Sequence, residues 1–181
     1  MKTLRLFILS LLVVGFISCK EDSKLPEDAV EPAVTTFYLI RHAEKDLSNA
    51  DNIDPELTQK GLGRAMHWAE ILDDVSLDAI YSTDYERTSQ TAAPAAVKQD
   101  VIVTYHNPMD LDIEQFKSDN LGNDVLVVGH SNTTPNLVNR LIGEEKYMQL
   151  DDSEYGHLFI VQFVGDKATD THLEFNCNCP E

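Results

Sequence analysis

TTFYLIRHAEK, residues 35–45, sets a short run of apolar and β-prone side chains (36–40) directly before Arg41 and His42. Five such residues read as a buried strand, and a strand of this kind delivers the next residues to its carboxyl end, where open α/β sheets bind ligands. A guanidinium beside an imidazole at that place makes an anion site in which the histidine is also able to do chemistry. Alone, the dipeptide decides little, because most Arg-His pairs are surface pairs.

The rest of the chain repeats the arrangement. Residues 124–129, DVLVVG, form a continuous apolar run suited to a central parallel strand, and His130 comes directly after it. Pro135 is then well placed at the first position of a helix that carries Leu137, Val138, Leu141 and Ile142 and stops at Gly143. Between the two histidine segments lies STDYERTSQTAAP, residues 82–94. Thr83-x-x-Glu86 has the form of a capping box, which predicts a helix start with Arg87 in its first turns. The free N–H groups and dipole of such an end favour anions, and a guanidinium there completes a phosphate-sized pocket. Pro94 is expected to kink or interrupt this helix near Ala92.

Further elements fall between these landmarks. Thr58 is a good N-cap for a helix whose apolar face is read as Leu62, Ala65, Met66, Ala69 and Leu72. Short strands are expected at 77–81 and 101–104 and a short helix at 111–117, while 158–164 and 171–175 read as a terminal hairpin or two edge strands. This order predicts an α/β protein, a three-layer α/β/α sandwich with a mostly parallel sheet of five or six strands. In such a sheet His42, His130 and Arg87 converge on one edge.

Length and composition agree with one soluble globular domain, at 181 residues, 43% hydrophobic and 25% charged. The net charge of −17 argues against nucleic acid or an anionic membrane surface as a partner. An anionic substrate would need a local basic pocket. The first 18 residues read as a signal peptide, with Lys2 and Arg5 ahead of a twelve-residue apolar run (6–17) that is short for a bilayer span. VGFISC, residues 14–19, resembles the lipobox of bacterial lipoproteins, with Phe16 where leucine is usual; the resemblance implies lipidation at Cys19. Lys20-Glu21-Asp22 resembles a signal that sends some lipoproteins to the outer face of the outer membrane, and reads equally well as the start of a solvated tether. Residues 19–34 form the lipidated cysteine and an acidic linker without periodicity, which would reach roughly 50 Å when stretched. The domain then occupies residues 35–181. Its two cysteines, Cys177 and Cys179, form a tight Cys-x-Cys, read as a labile or intermolecular disulfide ahead of a metal site.

Taken in order, RHAEK (41–45), LTQKG (57–61), STDYERTSQTA (82–92) and VGHSNTTPNLV (128–138) resemble the signature segments of the histidine phosphatase, or phosphoglycerate mutase-like, superfamily. The resemblance implies a phosphoglycerate mutase-like fold and a phosphohistidine mechanism with no cofactor. His42 would be the nucleophile, with the second ring nitrogen held by a backbone carbonyl near Ala43. Arg41, Arg87 and His130 would surround the phosphoryl oxygens. No metal is implied, and no carboxylate or cysteine cluster stands at ligand spacing near these residues. The chain departs from the family in the region where many members carry a glutamate that protonates the leaving oxygen. That region here reads VTYHNPMDLDIEQF, residues 103–116. Asp110 is the positional candidate for a proton donor and Glu44 the other, and either also reads as an ordinary solvated carboxylate.

The expected activity is a metal-independent phosphatase acting on small-molecule or protein phosphoryl substrates. Mutase-type phosphoryl transfer and a non-catalytic module that binds phosphorylated ligands are the alternatives. The expected location is the periplasmic or cell-surface side of the outer membrane, reached by export and held by the lipid alone. Replacing Cys19 with Ser should release the protein from membranes on fractionation. Persistent membrane association of Cys19→Ser would contradict the lipid anchor as sole tether.

Overall fold

A computed structural model describes residues 32–179. The signal peptide, Cys19 and nearly all of the acidic linker lie outside the described residues. Strand β1 (Val34–Arg41) sits near the centre of a six-stranded sheet. On one side it pairs in parallel with β4 (Asp124–Gly129), which pairs in parallel with β2 (Ala79–Ser82), and β2 with β3 (Val103–Tyr105). On the other side β5 (His157–Val164) runs antiparallel to β1, and β6 (Lys167–Glu174) forms the edge. The order β3-β2-β4-β1-β5-β6 is the mostly parallel sheet expected from sequence, with four parallel strands and an antiparallel hairpin. Gly165, at φ 59°, and Asp166 make the tight turn of that hairpin. The first of its strands is interior to the sheet, because β1 would otherwise present an open edge.

Alternation along the central strands supplies both layers. Phe37, Leu39, Val125 and Val127 face α3 (Ile113–Asp119) and α4 (Thr133–Ile142), packing with Phe116, Leu137, Val138 and Leu141. Ile40, Leu126 and Val128 face α1 (Gln59–Ile71) and α2 (Glu86–Gln99), packing with Trp68, Ala69, Ala92, Ala95 and Ala96. The small residues of α2 let it lie close to the sheet, which brings its N-terminus near the strand ends. Among the described residues no helix is long and apolar enough to cross a membrane.

Several local readings are corrected. In α1 the buried face is Gly61, Arg64, Ala65, Trp68 and Ala69, whereas Leu62 and Met66 are exposed. The stripe is rotated because the start of α1 packs on the polar loop after His42. Helix α2 runs unbroken through Pro94. Pro94 is only half-buried, so the Gln90 carbonyl that loses its partner has access to water. The N-cap of α2 is Tyr85, and Thr83 makes no capping bond. Helix α3 begins later than its apolar residues suggest, because the Asp112 side chain caps it by accepting from the N–H groups of Glu114 and Gln115. Cys177 and Cys179 stand with their Cα atoms 5.1 Å apart, within the span of a disulfide, which agrees with the labile form of the sequence reading.

The glycine of LTQKG has a steric cause. Thr58 caps α1 by accepting from the Gly61 N–H and donates its own N–H to the Glu44 carbonyl at 2.8 Å. A Cβ on Gly61 would stand 2.2 Å from that carbonyl oxygen. Gly61→Ala is therefore expected to destabilise the fold by about 1–3 kcal/mol, as overpacking does. Urea unfolding measures it, and an unchanged midpoint would contradict this contact.

Candidate active site

Parallel pairing of β1 with β4 aligns Arg41 with Gly129, and the His42 N–H continues the ladder by donating to the Gly129 carbonyl at 2.9 Å. The residues after the two strands are therefore neighbours. The rings of His42 and His130 meet edge to face, 5.4 Å between centroids. Two histidines far apart in sequence become one site through a single register.

His42 is buried, 3% exposed, and its Nδ1 lies 2.7 Å from the carbonyl oxygen of Ala43. A carbonyl only accepts, so Nδ1 carries the proton and Nε2 keeps its lone pair. The carbonyl is held in turn, because the Ala43 N–H donates to Thr91 Oγ1 and Thr91 donates to the Arg87 carbonyl. Burial first, then the charges of Arg41, His130 and Arg87, lowers the His42 pKa to about 3, against the pull of the Ala43 carbonyl. At neutral pH the ring is neutral and nucleophilic.

The tautomer of His130 is settled by counting hydrogens. Thr88 Oγ1 has one hydrogen and meets the carbonyls of Thr83 and Tyr85 at 2.8 and 2.9 Å. The 3.0 Å contact between Thr83 Oγ1 and Thr88 Oγ1 must then use the hydrogen of Thr83. His130 Nε2, 2.8 Å from Thr83 Oγ1, is left as the donor. Burial, followed by Arg87, Arg41 and Lys45, lowers the His130 pKa to about 4. The arrival of an anion would oppose that shift and let the ring take up a second proton at Nδ1.

Arg41 is 2% exposed. Its Nη1 donates to the carbonyls of Asp151 and Glu154 at 2.8 and 2.9 Å, and its guanidinium lies 4.4 Å from the Tyr155 ring centre. Arg87 stands in the first turn of α2, donates to Asp54 at 3.2 Å and stacks on Tyr85 at 4.3 Å. Asp54 also accepts from the Glu86 N–H, so a distant loop caps α2 and aims its arginine. The Nε groups of both arginines are buried without a hydrogen-bond partner. An unpaired buried donor is costly, and two on cations beside two neutral imidazoles leave room for an oxyanion.

Beside this group opens a cavity of about 660 Å³, lined by Thr83, Asp84, Tyr85, Arg87, residues 105–109, His130, Asn132 and Thr133. His42 and Arg41 lie behind the wall and are not part of the lining. Neither candidate proton donor lines it. Glu44 is held by Arg64 through both carboxylate oxygens, at 2.7–3.0 Å, which ties α1 to the His42 loop. Asp110 accepts from Asn107 Nδ2 at 2.7 Å on the exposed loop. Sequence reasoning misses Asp54, Asp84, Tyr85 and Tyr155. Their only signal is proximity to a motif, and Asp54 lies in a loop rich in similar residues. Among the described residues no group of three His, Cys, Asp or Glu side chains is arranged to hold a metal ion.

Comparison with known proteins bears on this geometry. Residues 37–110 match the model of the histidine phosphatase superfamily (branch 1). Among solved structures, the alpha-ribazole phosphatase of Shigella flexneri is 18% identical, with a TM-score of 0.59, over 77% of this chain and 96% of that one. The protein histidine phosphatase SixA in complex with tungstate is 15% identical, with a TM-score of 0.62, over 77% and 96%. The phosphoglycerate mutase of Bacillus anthracis is 14% identical, with a TM-score of 0.61, over 79% and 94%. At these identities the likeness is one of fold, a phosphoglycerate mutase-like α/β sandwich. No curated protein sequence matches the chain.

The role read for Asp54 is open to test. Asp54→Ala removes both the α2 cap and the partner of Arg87, each worth about 1 kcal/mol. Orthophosphate binding, measured by calorimetry, should weaken about tenfold while the protein stays folded. Unchanged affinity would contradict the positioning of Arg87 by Asp54.

Proposed function

We propose that this chain is a histidine phosphatase that hydrolyses phosphoryl compounds through a phosphohistidine at His42, using only its own side chains. The supporting observation is the His42 Nδ1 contact with the Ala43 carbonyl, which leaves a neutral ring with a free Nε2 beside two unpaired cationic donors. In the first step the Nε2 lone pair attacks phosphorus, the bond from phosphorus to the leaving oxygen breaks, and that oxygen takes its electrons and then a proton from water. In the second step water attacks the phosphohistidine, the phosphorus–nitrogen bond breaks, and orthophosphate leaves with His42 restored. Arg41, Arg87 and His130, the last taking a proton from solvent as the dianion arrives, bind the three outer oxygens, whose charge changes most in the in-line transition state. The chain is further proposed to work outside the cytoplasm, tethered through Cys19.

A phenolate leaves without help, whereas an alkoxide gains roughly 100- to 10,000-fold from a general acid. Turnover of p-nitrophenyl phosphate in the presence of a chelator therefore isolates the nucleophile. Protein lacking residues 1–19 should release phosphate, and His42→Ala should abolish this without loss of fold. The pH dependence has a definite sign. Because the His42 pKa is about 3 rather than 6.5, kcat/KM corrected for substrate ionisation should hold between pH 7 and pH 5. A fall centred near pH 6.5, or turnover retained by His42→Ala, would contradict the assignment.

A further inference from the structure

The cavity beside His130 is much larger than a phosphoryl group, and its walls have a distinct chemistry. Three carboxyl-end loops build it. The β2–α2 connection and the start of α2 give Asp84, Tyr85 and Arg87; the last residue of β3 and the loop after it give Tyr105, His106, Asn107, Pro108 and Met109; the β4–α4 turn and the start of α4 give Asn132 and Thr133. Arg87 is the one cation of this lining, and it already serves the phosphoryl site. Arg140, under the neighbouring groove, donates to the carbonyls of Pro108 and Leu111 and so holds the β3 loop in place.

Tyr85, Tyr105 and Met109 are 43%, 52% and 80% exposed, so aromatic and thioether surface is held in water around one opening. Asn132 brings an amide able both to donate and to accept, while the Asn107 amide is engaged by Asp110 and the Met109 N–H and shapes the loop. Asp84, exposed on the same wall, repels a second anion. We infer that this cavity receives the leaving group, and that the preferred substrates are phosphate monoesters of uncharged, ring-bearing alcohols of nucleoside size. Esters carrying a second phosphate or a carboxylate are disfavoured.

This inference rests on the phosphatase reading and deepens it. A cavity of several hundred Å³ in which aromatic and apolar surface meets convergent polar groups is a common form of organic-ligand site. One aromatic–base stack is worth about tenfold or more in binding. Tyr105, carried by the end of β3 and not by the β4 end that carries His130, is the group that separates ring recognition from phosphoryl recognition.

The test compares adenosine 5′-monophosphate, glycerol 3-phosphate and 3-phosphoglycerate as substrates, with p-nitrophenyl phosphate as control. The adenosine ester should have a kcat/KM about tenfold or more above each of the other two. Tyr105→Ala should raise its KM about tenfold and leave that of glycerol 3-phosphate unchanged. Turnover of p-nitrophenyl phosphate with equal rates for the three esters, or with 3-phosphoglycerate preferred, would overturn this inference and leave the phosphatase reading standing. Failure with every substrate would overturn the phosphatase reading. Calorimetry on His42→Ala would then decide for the cavity, which should bind adenosine 5′-monophosphate about tenfold more tightly than orthophosphate; equal affinities would overturn it.

Discussion

The site depends on one register. If β1 were shifted by one residue against β4, Phe37 and Leu39 would exchange faces with Tyr38 and Ile40, and both buried layers would be lost. Hydrophobic burial on two faces therefore fixes the pairing of Arg41 with Gly129, and with it the contact between His42 and His130. Core and chemistry share this constraint.

Around that point the protein holds positive charge in an unusual balance. Arg41 is buried against carbonyl dipoles, and Asp152, the carboxylate that forms an ion pair with it among the described residues, is 87% exposed at 3.3 Å. A pair with so exposed a partner does little to offset a buried guanidinium. Burial, and after it the same field, keeps both imidazoles neutral, so the site is short of negative charge. In the proposed reaction a phosphoryl dianion relieves the two unpaired Nε groups at once. It also raises the proton affinity of His130, so that a donor appears when there is an oxygen to receive it. The supporting bonds run outward through Thr91, Thr83 and Thr88, hydroxyls that fix tautomers without adding charge.

Much of this is legible in the residues. Strands ending in histidine, and an arginine at the start of a helix, are enough to place four groups on one sheet edge, because a parallel sheet puts all its carboxyl ends together. Thr83-x-x-Glu86 reads as a local cap, yet Thr83 turns to His130 and the cap comes from Asp54, 32 residues earlier than Glu86. Local patterns carry no information about such distant partners. The grip of residues 151–154 on Arg41 is invisible for a sharper reason, since it uses backbone carbonyls, which every residue has. Leu62 and Met66 mislead because hydrophobicity recurs at helical spacing on both sides of Arg64, and only the ion pair with Glu44 shows which side is inward.

The central claim is that Nε2 of His42 carries the phosphoryl group during turnover. The direct measurement is mass spectrometry of peptides from enzyme quenched in alkali during steady-state turnover, since phosphohistidine survives base and is lost in acid. The account predicts one added phosphoryl group on the peptide containing His42, absent without substrate and absent in His42→Ala. A phosphoryl group found instead on another residue, or turnover with no phosphorylated peptide in rapidly quenched samples, would contradict it.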